Sequence, residues 1–307
     1  MTYAVNKYEA MMTTYDIYQE NIKLIKELNS DVIALQEESR DAFSVARVIF
    51  KVINALIGLY RMAKEKIIRL FKIFSVRVKD VYMDNDKFLN KYGAKLNRIS
   101  YANVSFDKGY KMDMSNVTSG SEVGVLTSYN FTDLKMIILD NKKVFTDDKN
   151  INYWVSQNRA AILGGTTYIT NVHEIKDEDF KSELNNKYYG TRGPTTYSVS
   201  DAMNVIKNYR SMYNSVSNMK TIYETIANRE IKELEKIKQI ASSNSSSKKL
   251  FRTRDTGNTL VDQLSKLSQY RTATLNDSII AYQVILQYID DINLLAKSVC
   301  IQALREN

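Results

Sequence analysis

At 307 residues the chain is long enough to bury a substantial core, and length alone favours about two domains of roughly 150 residues each. One proline and 10 glycines leave few helix breakers in a sequence rich in Lys, Ile, Tyr, Leu and Met, which predicts a mainly α fold. The single cysteine, Cys300, excludes an intramolecular disulfide and a multi-cysteine zinc cage, and the single histidine, His173, excludes a His-based metal triad.

The formal charge of +8 is compatible with contact to nucleic acid or anionic lipid, and its distribution is uneven. The first 46 residues hold four bases against eight acids, whereas the segment from Arg47 to Lys79 holds nine bases against the lone acid Glu65. Two neighbouring segments of opposite sign are suited to lie against each other as antiparallel helices. The N-terminus lacks a basic start followed by an apolar run, so no secretory signal is expected, and a reducing cell interior suits the chain.

Tyr8, Met11, Tyr15, Tyr18, Ile22 and Ile25 recur at alternating three and four spacing and predict a first amphipathic helix. Asn29-Ser30-Asp31 supplies a turn or N-cap, after which a second pattern runs from about Val32 to Met83. Within it Ala46, Ile49, Ile53, Leu56, Tyr60, Ala63, Ile67, Leu70 and Phe74 form one apolar stripe. The opposite stripe is Arg47, Lys51, Asn54, Gly58, Arg61, Glu65, Arg69 and Lys72. The longest interval free of charge, Val52 to Tyr60, is nine residues, far short of the roughly 20 needed to span a bilayer. A basic amphipathic helix is also able to lie in a membrane interface, but the sustained heptad register favours packing against other helices.

DNDKFLNKYGAKL, residues 84 to 96, reads as a short capped helix. From about Ser100 to Thr196 the helical period weakens, and most of the glycines and Pro194 fall there. YANVSFDKGYKMDM and LKMIILDNKKVF carry β-prone runs, GGTTYITNV follows a double glycine, and KDEDFKSELNNKYY reads as a helix with acids in its first turn. Helical spacing returns from Tyr197, through Val199, Ala202, Ile206, Tyr209, Tyr213, Val216, Met219, Tyr223 and Ile226, to about Ala241. SSNSSSKK is a linker by composition. A last helix from about Asn258 to Leu304 shows Leu275, Ile279, Tyr282, Leu286, Ile289, Ala296, Val299 and Ala303 at the same spacing. The expected fold is mainly α, with long antiparallel helices forming a bundle or coiled coil and a small α+β domain inserted in the middle. The expected boundaries are 1–98, 99–197 and 198–307, with a linker near 242–257.

Chemistry-bearing patterns are sparse. Neither G-x-x-x-x-G-K-[ST] nor G-x-G-x-x-G occurs, and Asp147-Asp148 and Asp177-Glu178-Asp179 miss calcium-loop spacing, which leaves them as solvated turn and helix N-terminal acids. Asp290-Asp291 lies within the last helix, where a solvated edge is the expectation. Cys300 falls on the apolar side of the same helix and reads as a small core residue, with a thiolate paired to His173 as the weaker alternative. No catalytic, cofactor-binding or metal-binding residue is assigned. The candidate contacts to phosphate or to an acidic partner are Arg47, Lys51, Arg61, Arg69 and Lys72 on the basic face, and Lys248, Lys249, Arg252 and Arg254 beside the serine linker.

DNDKFLNKYGAKL followed by FDKGYKMDM, residues 106 to 114, resembles a junction in virion structural proteins of large tailed bacteriophages, where a long amphipathic helix pair leads into a Lys-Phe-Leu helix and then a Lys-Gly-Tyr-Lys strand. The resemblance implies a non-enzymatic particle component, made in the host cytoplasm and ending in the virion, capsid-associated or inside the head. Its implied partners are capsid proteins or further copies of itself, with packaged DNA reached through non-specific phosphate contacts, and it implies a multi-copy or homo-oligomeric state without a membrane span. The alternative from another class is a membrane-active protein that presents its amphipathic helices to lipid.

Overall fold

The computed structural model describes residues 42–114, 137, 143–145, 151–163, 177–242 and 254–306. Its elements in chain order are α1 (Ala42–Arg98), β1 (Asn103–Tyr110), α2 (Ile151–Ile162), α3 (Asp177–Tyr189), β2 (Arg192–Ser198), α4 (Val199–Ser242) and α5 (Arg254–Glu306). The chain is mainly α, with long helices and a small two-stranded antiparallel sheet. The first helix expected from Tyr8 to Ile25, the Asn29 turn, most of LKMIILDNKKVF, GGTTYITNV and SSNSSSKK beyond Ser242 lie outside the described residues.

The stripes read from the sequence match the burial along α1. Ile53, Leu56, Tyr60, Ala63, Ile67 and Leu70 are buried, while Lys51, Asn54, Gly58, Arg61, Glu65, Arg69 and Lys72 are all exposed. α4 and α5 behave alike: Val199, Ala202, Ile206, Tyr209, Val216 and Tyr223 are buried, as are Leu275, Ile279, Tyr282, Leu286, Ile289, Ala296, Val299 and Ala303. A period near 3.6 places such residues on one side of a helix, and removing that side from water is the main stabilising term.

Asp84 to Leu96 is not a separate capped helix, because α1 runs unbroken through it to Arg98. The Asp84 carboxylate accepts from Lys297 Nζ at 2.5 Å instead of capping a helix start. Gly93 has open space around it, so it costs only the usual helical entropy, about 1 kcal/mol.

The described chain folds as two compact units. One takes 42–64, 137, 143–145, 151–155, 226–242 and 254–276; the other takes 65–114, 156–163, 177–225 and 277–306. The divisions run through the long helices and differ from the boundaries expected at 98 and 197. The described residues between 99 and 197 are shared between the two units.

In the first unit Phe145 stacks edge-on against Trp154 at 6.1 Å and lies 5.9 Å from Tyr270. Arg61 Nη2 pairs with Glu235 at 2.9 Å and Lys64 Nζ donates to Asn228 at 3.0 Å, so α1 and α4 run antiparallel here.

In the second unit Phe71 and Tyr223 both pack edge-on against Tyr282, with ring centroids at 5.7 and 6.3 Å. The pairings of Phe71 with Tyr282 and of Asn85 with Asn293 show that α1 and α5 run parallel, with α4 antiparallel to both. β1 and β2 belong to this unit and pair from Asn103↔Ser198 to Tyr110↔Arg192, with an irregularity between Phe106 and Gly109. Pro194 falls opposite that irregularity, where a missing N–H interrupts no ladder bond. β2 then passes directly into α4, whose first turn is capped by Ser198 Oγ accepting from the Asp201 N–H.

Gly190 closes α3 with φ +65° and donates its N–H to the Asn186 carbonyl. A Cβ there would meet the Lys111 carbonyl oxygen at 2.6 Å. Gly190→Ala combines left-handed strain with that clash and is expected to cost about 1–3 kcal/mol, read as a lowered urea midpoint. Wild-type stability in this variant would show that the turn relaxes freely.

Candidate functional site

Two kinds of feature stand out in the side-chain geometry: a set of buried polar ties between helices, and the solvent face of α1.

The ties are concentrated in the second unit. Asn85 Nδ2 donates to the Ile206 carbonyl at 3.1 Å and to Asn293 Oδ1 at 2.9 Å, while Asn293 Nδ2 returns a bond to Asn85 Oδ1 at 3.2 Å. A buried amide pair of this kind is satisfied at one axial offset only, so it sets the register of α1, α4 and α5. One layer away, Tyr209 donates its hydroxyl to Asp290 Oδ1 at 2.5 Å, and Arg77 Nε lies 3.1 Å from Oδ2. Asp291, the next residue, accepts from the Tyr189 hydroxyl at 3.0 Å. The expectation of a solvated edge at Asp290-Asp291 is therefore corrected: adjacent helical positions face different partners, and Asp290 is 5 % exposed. No periodicity could have revealed this, because the partners come from distant helices.

Burial pushes the Asp290 carboxyl above its ordinary value, against the opposing pull of the Tyr209 hydrogen bond and the Arg77 charge. The folded state thus binds this proton more tightly than the unfolded chain does. The group weighs against folding at neutral pH, and that weight is relieved as pH falls through the raised folded value toward the unfolded one. Asp290→Asn keeps an acceptor for Tyr209 and removes the charge. Its stability relative to wild type is expected to be greatest near neutral pH and to shrink on acidification, measured by denaturant unfolding across that range. A relative stability that grows toward acid would contradict this account.

Arg159 and Asp277 form a deeply buried ion pair. Nε and Nη2 reach Oδ2 and Oδ1, both at 2.9 Å, and the guanidinium lies 5.3 Å from the Phe180 ring centre. In the first unit Gln263 serves the backbone of 144–145: Oε1 accepts from the Val144 and Phe145 N–H groups, and Nε2 donates to the Phe145 carbonyl at 2.7 Å. Neither group stood out in the sequence, since a lone Arg, Asp or Gln inside a helical run carries no spacing signal.

Cys300 is fully buried, and desolvation pushes its thiol up to about 12, so it behaves as a core residue and not as a thiolate. His173, Asp147 and Asp148 lie outside the described residues, and so do the side chains of Asp177 and Glu178. Among the described residues no group of three or more His, Cys, Asp or Glu is placed to hold a metal ion. A cleft of about 350 Å³ opens between 111–114 and β2, lined by Lys111, Asp113, Thr195 and Asp201 among others.

Of the proposed cationic contacts, Lys51, Arg61, Arg69 and Lys72 are exposed along α1. Arg61 is engaged by Glu235, whereas Lys51, Arg69 and Lys72 form no ion pair with a described residue. Exposed pairs such as Arg61–Glu235 are worth little, about 0–1 kcal/mol, so Arg61 stays available to another anion. The side chains of Arg47 and Arg254, and all of Lys248, Lys249 and Arg252, lie outside the described residues. Among the described residues no helix is long and apolar enough to cross a membrane.

No family model, no curated protein and no solved structure matches this chain.

Proposed function

We propose that this chain is a non-enzymatic structural component of a multi-copy assembly, the particle of a tailed bacteriophage, where it is capsid-associated or inside the head. The observation that carries this reading is a division of labour among polar groups. Arg159, Asp277, Asn85, Asn293, Asp290 and Tyr209 are used to tie helices to one another, while one face of α1 turns cations toward solvent. Such an arrangement suits a stiff helical part that meets an anionic or acidic neighbour. The likeness of residues 84–96 and 106–114 to virion proteins supports the phage setting, and synthesis in the host cytoplasm goes with it.

The membrane-active alternative draws less support. The apolar stripe from Val52 to Phe71 is already packed against protein, so lipid contact through it would require the helices to separate.

Quantitative mass spectrometry of purified particles, with heads and tails separated, tests the proposal. Many copies confined to heads is the expected result. Absence from particles would overturn the virion role, and flotation with liposomes would then favour the membrane reading.

A further inference from the structure

Beyond Glu65 the solvent face of α1 changes character. Three large apolar side chains are left in water there: Ile73 at 38 % exposure, Val76 at 68 % and Met83 at 48 %. Arg69, Lys72 and Lys79 are exposed beside them, and positions 69, 72, 73, 76, 79 and 83 recur at the three and four spacing that places them along one side of a helix. None of these three cations pairs with a described residue, and Asp80 is the one carboxylate in the stretch 69–83.

The mixture of groups narrows the partner. Phosphates would satisfy the cations and leave Val76 in water. An acidic amphipathic helix satisfies both, with its apolar stripe along 73, 76 and 83 and its carboxylates along the basic border. This sequence contains a segment of that chemistry: residues 1–41 carry Tyr8, Met11, Tyr15, Tyr18, Ile22 and Ile25 at heptad-like spacing, and acids outnumber bases there. The turn expected at Asn29-Ser30-Asp31 would fold a helical N-terminal segment back along its own chain only as far as about position 59, at a rise of about 1.5 Å per residue, short of the strip that begins at 69, so the segment assigned to the strip is that of another copy.

We propose that the strip 69–83 of α1 is the docking surface for the acidic N-terminal segment of a second copy. The inference rests on the multi-copy reading above and names its partner. Reciprocal exchange of the segment between two copies closes a dimer, and one-way repetition generates rings or filaments according to whether the rotation closes.

Sedimentation velocity of the full chain over a concentration series tests it. Wild type is expected to associate, less so at high salt. Lys72→Glu/Lys79→Glu, both at exposed positions, is expected to weaken association by at least about tenfold, because like charges then face each other. Asp16→Lys/Glu20→Lys should do the same from the other surface. An equimolar mixture of the two variants should associate, since each then offers the other complementary charges. Circular dichroism and thermal unfolding establish that both variants fold.

A wild type that stays monomeric, a Lys72→Glu/Lys79→Glu variant that associates normally, or a mixture that stays dissociated would each overturn the proposal. So would a monomeric wild type that binds DNA with a steep salt dependence abolished by Lys72→Glu/Lys79→Glu, because the strip would then serve phosphates. Absence of the chain from phage particles overturns the virion role and leaves these association measurements as they are, which separates the two failures.

Discussion

Asp277→Ala will destabilise the second unit by about 3–5 kcal/mol, a large part of the roughly 5–15 kcal/mol available to a folded domain. The substitution takes from the Arg159 guanidinium, 3 % exposed as a residue, the bidentate carboxylate that balances its charge. Arg159→Met removes the guanidinium that pairs with the fully buried Asp277 carboxylate, with a loss of similar size. Arg159→Lys is not a conservative repair, since an ammonium cannot make both planar bonds. The double variant Arg159→Met/Asp277→Leu replaces both charges with apolar groups and is expected to recover most of the stability, because the desolvation penalty of the pair vanishes with the pair. Urea unfolding of the two single variants and the double closes the cycle. Additive losses in the double variant would show that the two groups act separately and would defeat this explanation.

Gln263→Leu is expected to cost about 2–4 kcal/mol in the first unit, because a side chain of similar size removes the Gln263 partner of the Val144 N–H and of both Phe145 backbone groups at once. Gln263→Glu discriminates the mechanism. The carboxylate still accepts from the two N–H groups but opposes the Phe145 carbonyl, whereas the protonated acid can donate to it. Gln263→Glu should therefore lose stability at neutral pH and approach wild type on acidification, measured by denaturant unfolding at several pH values. A loss independent of pH would show that packing against Phe145, and not the three hydrogen bonds, holds this segment.

These two sites show where reading a sequence stops. β2 escaped notice because Pro194 normally argues against a strand, and only its pairing opposite the β1 irregularity makes it tolerable. α2 escaped because Ser156 and Arg159 occupy its buried face, so its apolar period is broken at the positions that pack. The break expected near Asp84 did not form, since a carboxylate that can cap a helix can equally be drawn to a lysine on another helix, and Lys297 supplies one. β1 and α3 were legible, from a short β-prone run in the first case and first-turn acids in the second. The cations of α1 were legible too, as a face, but their pairing was not: Arg61 meets Glu235, 174 positions away, while Arg69 and Lys72 meet no described carboxylate.

By itself the sequence determined the helical class, the buried faces of α1, α4 and α5, the solvent face of α1, and the placement of Cys300 in the core. Those properties follow from composition and from a period near 3.6, which any stretch of a dozen residues already contains. The tertiary structure alone decided which polar residues are ties and which are surface. Burial of Asp290, Asp277, Asn85 and Gln263 is tolerated only when a matching group arrives from a distant segment at hydrogen-bond distance, and that coincidence exists only once the helices are packed.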